Sequence, residues 1–211
     1  MNSVKTILFQ GDSITDADRR NGLGTGYPLL TSARLGMDYP GEFTFHNRGI
    51  SGNRIVDVYA RIKEDIINLK PDYMSLLIGV NDVWHEFWGN GVDAPKFEKI
   101  YCMMMEEILA ALPNVKIMLL EPFCLRGSNT DNQEEHPDKW RIFSSEVKKR
   151  AEVVKRVAES YGLPFIPLQA LFEEAAARSE NAVWLFDGVH PTPAGHELIT
   201  REWLKTFDSI R

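Results

Sequence analysis

The chain has 211 residues, 44% of them hydrophobic, which supplies one substantial core and predicts a single domain over 1–211. Its 24 basic and 30 acidic residues leave a net charge of −6, without the basic footprint that nucleic-acid binding requires. No apolar run approaches the roughly 18 residues of a membrane span. The two cysteines, Cys102 and Cys124, have neither zinc-ligand nor CxxC spacing, which fits a reduced compartment. No charged leader with an apolar stretch precedes Val4, so a cytoplasmic protein is the expectation.

In chain order, 4–9 (VKTILF) reads as a buried strand, and 27–36 as a helix with Pro28 in its first turn. A short strand candidate follows at 43–46. Apolar residues at 55, 58, 62, 66 and 69 predict an amphipathic helix over 55–69, ended by Pro71. Residues 73–78 form a second buried strand pattern, 97–112 a helix, and 115–120 a strand stopped by Glu121-Pro122. The polar stretch 126–139 is a long connection, a candidate lid or substrate loop. Helix 140–160, strand 164–167, helix 168–178 and helix 193–207 complete the chain. This alternation predicts an α/β fold: a three-layer α/β/α sandwich on a mainly parallel sheet of about five strands. In such sheets ligands bind beyond the carboxyl ends of the strands.

Polar, glycine-bearing segments stand at those ends: Gly11-Asp12-Ser13, the stretch around Gly52, Gly79-Val80-Asn81-Asp82, and Asp187-Gly188-Val189-His190 near the C-terminus. Taken singly, Ser13 could be a helix cap, and Gly52 and Asn81 could be turn residues. Together they supply the parts of acyl transfer. A serine hydroxyl needs a base, a histidine base needs a carboxylate to hold its tautomer, and a developing oxyanion needs donors. Ser13 is the candidate nucleophile, His190 the base and Asp187 its orienter. The Ser13 N–H, the Gly52 N–H and the Asn81 amide are the candidate oxyanion donors.

These four segments, in this order, resemble the SGNH-hydrolase family, also called GDSL esterases and lipases. The resemblance runs from Ile7 to His196, with Ile14 where the first motif often has leucine. It implies a flavodoxin-like architecture, a Ser13–His190–Asp187 mechanism and no metal or organic cofactor. The stretches FQGDSITDADRR, NRGISGNRIVD, LLIGVNDVWHEF and DGVHPTPAGHELI resemble a microbial branch containing acetylxylan esterases and other carbohydrate deacetylases. That branch implies a small-molecule or oligosaccharide ester as substrate and a homo-oligomer as the state of assembly.

Asp12, Arg54, Trp84 and Trp184 are candidate substrate contacts, the tryptophans through stacking on a sugar ring. Asp12 could instead support the local backbone, and Arg54 could cap a helix. Within the same fold, other acyl esters, including lysophospholipids and thioesters, are alternative substrates. Two readings from other classes remain: a metal-dependent phosphoesterase using Asp187, His190 and His196, and a non-catalytic sugar-binding protein. GLGTG at 22–26 lacks the preceding strand that a dinucleotide loop needs, and reads as a turn near the site.

Overall fold

The apolar runs become five parallel strands in a computed structural model that describes residues 3–20 and 22–211. The strands are β1 (Lys5–Gly11), β2 (Phe43–Asn47), β3 (Tyr73–Leu77), β4 (Lys116–Leu120) and β5 (Phe165–Ile166), ordered β2-β1-β3-β4-β5. Register is continuous across the centre: Ile7 faces Tyr73, which faces Lys116, and Gly11 faces Leu77, which faces Leu120. The carboxyl ends of β1, β3 and β4 therefore finish level. Each parallel step needs a crossover, and helices supply them. These are α1 (Ser13–Asp16) and α2 (Tyr27–Asp38) before β2, α3 (Ile55–Ala60) before β3, α4 (Val80–Trp84) and α5 (Ala94–Ala111) before β4, and α6 (Lys139–Tyr161) before β5; α7 (Gln169–Ala176) and α8 (Pro193–Ile210) follow the last strand.

Alternation along the strands divides the core in two. Ile7, Phe9, Tyr73, Leu77, Met118 and Leu120 pack with residues of α2, α7 and α8, among them Leu35, Phe172, Trp203 and Phe207. Leu8, Met74, Leu76, Ile117 and Leu119 pack with α3, α5 and the later turns of α6, including Val58, Met104 and Val154. Both sheet faces are covered, giving the expected three layers. Each fully buried large apolar side chain contributes roughly 1.5–3 kcal/mol to keeping these layers together.

The helix expected over 55–69 is interrupted. α3 stops at Ala60, and a separate π-helical turn runs over Lys63–Ile67. The apolar positions still face inward, since Ile55, Val58, Ile62 and Ile66 are all buried. Arg61 accounts for the break. Its guanidinium donates to Asn53 Oδ1 (2.9 Å), the Arg48 carbonyl (2.8 Å) and Gln10 Oε1 (2.9 Å), and pairs with Asp65. These partners draw the backbone out of regular α geometry. The helix expected from 97 begins at Ala94, capped by the Asp93 carboxylate on the Lys96 N–H, with Pro95 in its first turn.

Candidate active site

The first strand ends under steric compulsion. A Cβ on Gly11 would lie 2.4 Å from both the Leu77 carbonyl and Thr15 Oγ1, so only glycine fits between β3 and the turn that follows. Asp12 then accepts the Ile14 N–H at 3.0 Å and starts α1, which leaves Ser13 as the first helical residue. The segment after β2 is bound to this turn. The Ile50 N–H donates to the Gly11 carbonyl (3.1 Å), and the Ser51 N–H and hydroxyl both donate to Asp16 Oδ2 (3.0 and 2.8 Å). Buried Asn47 adds amide donations to the Thr15 and Leu23 carbonyls. Sequence reading did not single out Asn47. Its signal was an amide at the end of an apolar strand, where a burial cost requires partners.

Ser13 Oγ lies 2.9 Å from His190 Nε2, and His190 Nδ1 lies 2.6 Å from Asp187 Oδ2. A carboxylate only accepts, so the Nδ1 proton faces Asp187 and the Nε2 lone pair receives the serine hydroxyl. Asp187 Oδ1 accepts the main-chain N–H groups of Val189 (2.9 Å) and His190 (2.8 Å). Gly188, which follows Asp187, has φ +96°, a conformation that lets this four-residue turn close on its own carboxylate. Burial would raise the Asp187 carboxyl, but the hydrogen bonds from the His190 ring and from both N–H groups hold it at about 2. Burial pulls the His190 imidazole down. The Asp187 hydrogen bond and the charges of Asp187 and Asp12 outweigh this and hold it above the ordinary histidine value.

Among the described residues, neither the Ser13 N–H nor the Gly52 N–H has an intramolecular acceptor. Gly52 stands at φ +81°, next to Ser51, which lines the same cavity as Ser13. On its other side the Asn53 carbonyl accepts the buried Asn81 amide at 3.1 Å. One N–H of that amide is thereby used and one remains. Asp82 fastens the two segments together, accepting the Ile55 N–H on both oxygens (3.1 and 3.2 Å). Burial pushes its carboxyl up to about 8.

The cavity over Ser13, about 480 Å³, is walled by Ala17, Thr25, Ser51, Phe186, Pro191 and Pro193. Thr25 belongs to the GLGTG turn, which folds back so that its N–H donates to the Ala17 carbonyl (2.8 Å). Trp84 lies beside the triad, its ring centroid 6.1 Å from that of His190, with the Lys139 ammonium over its indole.

The other candidate contacts are placed differently. Asp12 is 1% exposed, and its carboxyl lies under the turn, where it caps α1. Burial pushes that carboxyl up to about 7. Arg54 clasps Asp57 (2.9 and 3.0 Å) and donates to the Asn90 carbonyl and side chain (both 2.6 Å), which commits four of its five N–H groups. It braces the 90 loop, while its own main-chain N–H donates to Asp57 Oδ2 (2.8 Å) at the start of α3. Trp184 turns away from the cavity: its indole N–H donates to Ser179 Oγ (2.8 Å), and Arg178 lies over its ring. A short helical turn at 181–183 continues into Trp184 (φ −106°, ψ −46°) and directs the ring there. Phe186, which sequence reading passed over, occupies the rim instead. It stacks on His190 at 5.6 Å and 18°, and is 60% exposed. Its signal was a bare apolar residue immediately before the Asp187 motif.

His196 does not join a metal-binding set. Its Nδ1 accepts the Tyr27 N–H at 3.1 Å, and both His190 nitrogens are engaged with Ser13 and Asp187. Among the described residues no three His, Cys, Asp or Glu side chains converge as metal ligands. Burial, aided by the His190 charge, lowers His196 to about 4, as suits a neutral packing histidine.

A serine, a histidine and an aspartate in a hydrogen-bonded line, at the carboxyl rim of a parallel sheet, define a serine hydrolase site. Residues 9–198 match the profile of the GDSL-like lipase/acylhydrolase family, and the chain belongs to that family. It is a carboxylic ester hydrolase. It is 35% identical to an acetylxylan esterase of Geobacillus stearothermophilus, over 99% of this chain and 97% of that one. A crystal structure of an acetylxylan esterase from the same organism superposes with a TM-score of 0.83 at 32% identity, covering 96% of this chain and 94% of that chain. An α/β hydrolase from the metagenome of Lake Arreo also superposes with a TM-score of 0.83, at 28% identity over 97% and 95% of the two chains.

Proposed function

We propose that the protein is a serine esterase that removes short acyl groups, acetyl above all, from sugar hydroxyls such as those of acetylated xylo-oligosaccharides. The observation that carries this reading is the Ser13–His190–Asp187 line, 2.9 and 2.6 Å, opening onto a cavity of about 480 Å³ with an exposed aromatic rim. His190 Nε2 takes the Ser13 proton as Oγ bonds to the ester carbonyl carbon. The carbonyl electrons move onto oxygen, which the Ser13 and Gly52 N–H groups and the free N–H of Asn81 receive. The oxyanion collapses, the C–O bond to the sugar breaks, and the proton on His190 passes to the departing sugar oxygen. Water, deprotonated by His190, then cleaves the acyl-serine by the same steps in reverse roles. Asp187 stays ionised throughout, since its carboxyl lies far below neutral pH. Alanine, threonine, serine and proline line the cavity beside Ser13, and the Phe186 ring is exposed at its rim, where a sugar can stack.

Chromogenic acetyl, butyryl and octanoyl esters, followed by acetylated xylo-oligosaccharides, test the proposal. The expected result is turnover that falls with acyl length, is unaffected by a chelator, and drops on the order of 10⁴-fold or more in Ser13→Ala. A fully active Ser13→Ala enzyme would overturn the mechanism. Preference for octanoyl esters would overturn the acetyl assignment and leave the mechanism in place.

A further inference from the structure

We propose that Asn129, in the 126–139 connection, is a positioning residue for the reaction: it fixes the carboxylate of Asp187 through a side-chain hydrogen bond. The inference rests on the reading of Asp187 as the group that orients His190. Asn129 Nδ2 donates to Asp187 Oδ2 at 2.8 Å, the same oxygen that faces His190 Nδ1. The carboxylate only accepts, so the amide must turn its NH2 end toward it. Asp187 then has four donors for two oxygens: two main-chain N–H groups on Oδ1, the imidazole and the amide on Oδ2. Those donors occupy about all of its lone-pair sites, and the carboxylate cannot rotate without breaking one.

The connection is built to deliver this group. The Asn129 N–H donates to the Asp187 carbonyl (3.0 Å), and the Leu125 N–H to the Gly188 carbonyl (2.9 Å). Buried Thr130 closes the turn between them, accepting the Gly127 N–H (2.8 Å) and donating to the Leu125 carbonyl (2.7 Å). A Cβ on Gly127 would lie 2.4 Å from the Gly188 nitrogen, so the two backbones touch. A stretch that reads as a lid is, over 125–130, a brace on the triad. Asn129 itself is only half-buried, and nothing in the packing of the core requires an amide there. Among the described residues its side chain hydrogen-bonds only to the Asp187 carboxylate.

Ser13→Ala, Asn129→Ala and Asn129→Asp, assayed for acetyl-ester hydrolysis across pH and for urea stability, test the inference. Asn129→Ala keeps the main-chain bond and removes only the donor. The expected result is a fall in kcat of about tenfold or more with KM changed less than about twofold, because ground-state binding is untouched. The acid limb of kcat/KM should also move to higher pH, since Asp187, freed of one donor, holds the His190 proton more tightly. Asn129→Asp is isosteric but puts a second carboxylate against Asp187. Its kcat should fall at least as far, and its acid limb should move further up than in Asn129→Ala, because the added negative charge holds the His190 proton more tightly still. Unchanged kcat and acid limb in both variants, with Ser13→Ala inactive, would overturn the role of Asn129 and leave the triad standing. Lower stability with an unchanged acid limb and kcat would make the contact merely structural, and would overturn it equally. An active Ser13→Ala would remove the triad reading on which it rests.

Discussion

Asp12 and His196 flank the triad on buried sides, and their protonation works in opposite senses. Asp12 titrates near 7 in the folded chain against 3.8 for an ordinary aspartate. Its contribution to stability is whole below about pH 4 and is lost as pH rises through 7, because the unfolded chain ionises first. His196, near 4 in the folded chain against 6.5, favours folding fully above about pH 6.5 and loses its contribution as pH falls toward 4. Each shift is a few kcal/mol at most by linkage, so in the wild-type protein the two slopes largely cancel between pH 4 and 7. Urea unfolding of Asp12→Asn and His196→Asn should reveal them. Asp12→Asn should gain stability relative to wild type between pH 5 and pH 8. His196→Asn should gain it relative to wild type as pH falls from 7 to 5. A flat difference in either variant would count against the burial of that group. Asp12→Asn should also shift the acid limb of kcat/KM to lower pH, by less than about one unit. The Asp12 charge is one of the groups that raise His190, and esterase activity requires His190 neutral.

The residues of the line itself were legible because catalysis demands a rare combination of types at the ends of apolar runs. Those around it were not. Whether Trp184 or Phe186 meets the cavity depends on one short helical turn, and alternation along the chain does not reveal that turn. Asn129 was hidden for another reason: its partner is 58 residues away, and one asparagine in a polar stretch carries no local signal.

Among the elements, the strands were the most legible, since short apolar runs stopped by glycine, as at β1 and β3, or by proline, as at β4 and β5, admit few other forms. The break after α3 had a tertiary cause, the reach of Arg61 to residues from three other segments. Arg150 plays a comparable part on α6. Its side chain is 0% exposed, yet it carries a charge that pairs with Glu146 on the same helix and with Glu86 beside α4, and it donates to the Val92 carbonyl at 2.6 Å. It therefore ties the longest helix to the segment that follows the Asn81 motif. Removing the guanidinium leaves two part-exposed carboxylates and the Val92 carbonyl without their shared donor, so Arg150→Leu should cost about 1–3 kcal/mol. Glu86→Gln should cost less, because glutamine keeps an oxygen acceptor and Glu146 still balances the guanidinium. Chemical denaturation of the two variants and their combination gives the coupling, expected above about 1 kcal/mol. Additive losses would mean that the pair acts independently and that Arg150 matters only for its packing.

At the scale of the whole molecule, the rule that parallel sheets bind ligands beyond their carboxyl ends located the site before any side chain was placed, and the level register of β1, β3 and β4 explains why it could. The same sheet bears on how the chain unfolds. β3 contributes Tyr73 and Leu77 to one core cluster and Met74 and Leu76 to the other, with every residue of the strand buried. Neither layer of helices can leave without exposing the strand that the opposite layer also needs, and α6 adds a second link, with Phe143 and Val147 in one cluster and Val153 and Val154 in the other. The two clusters should therefore melt together. Helix content followed by circular dichroism reports both layers, whereas tryptophan fluorescence reports the first cluster through Trp203 and the site through Trp84. The expected outcome is a single urea transition with the same midpoint by both probes and by residual esterase activity. A fluorescence midpoint well below that of circular dichroism would show the α2, α7 and α8 layer releasing first. The 211 residues would then comprise two cooperative units sharing one sheet, and the triad, with Ser13 and His190 both next to that layer, would be lost at the earlier step.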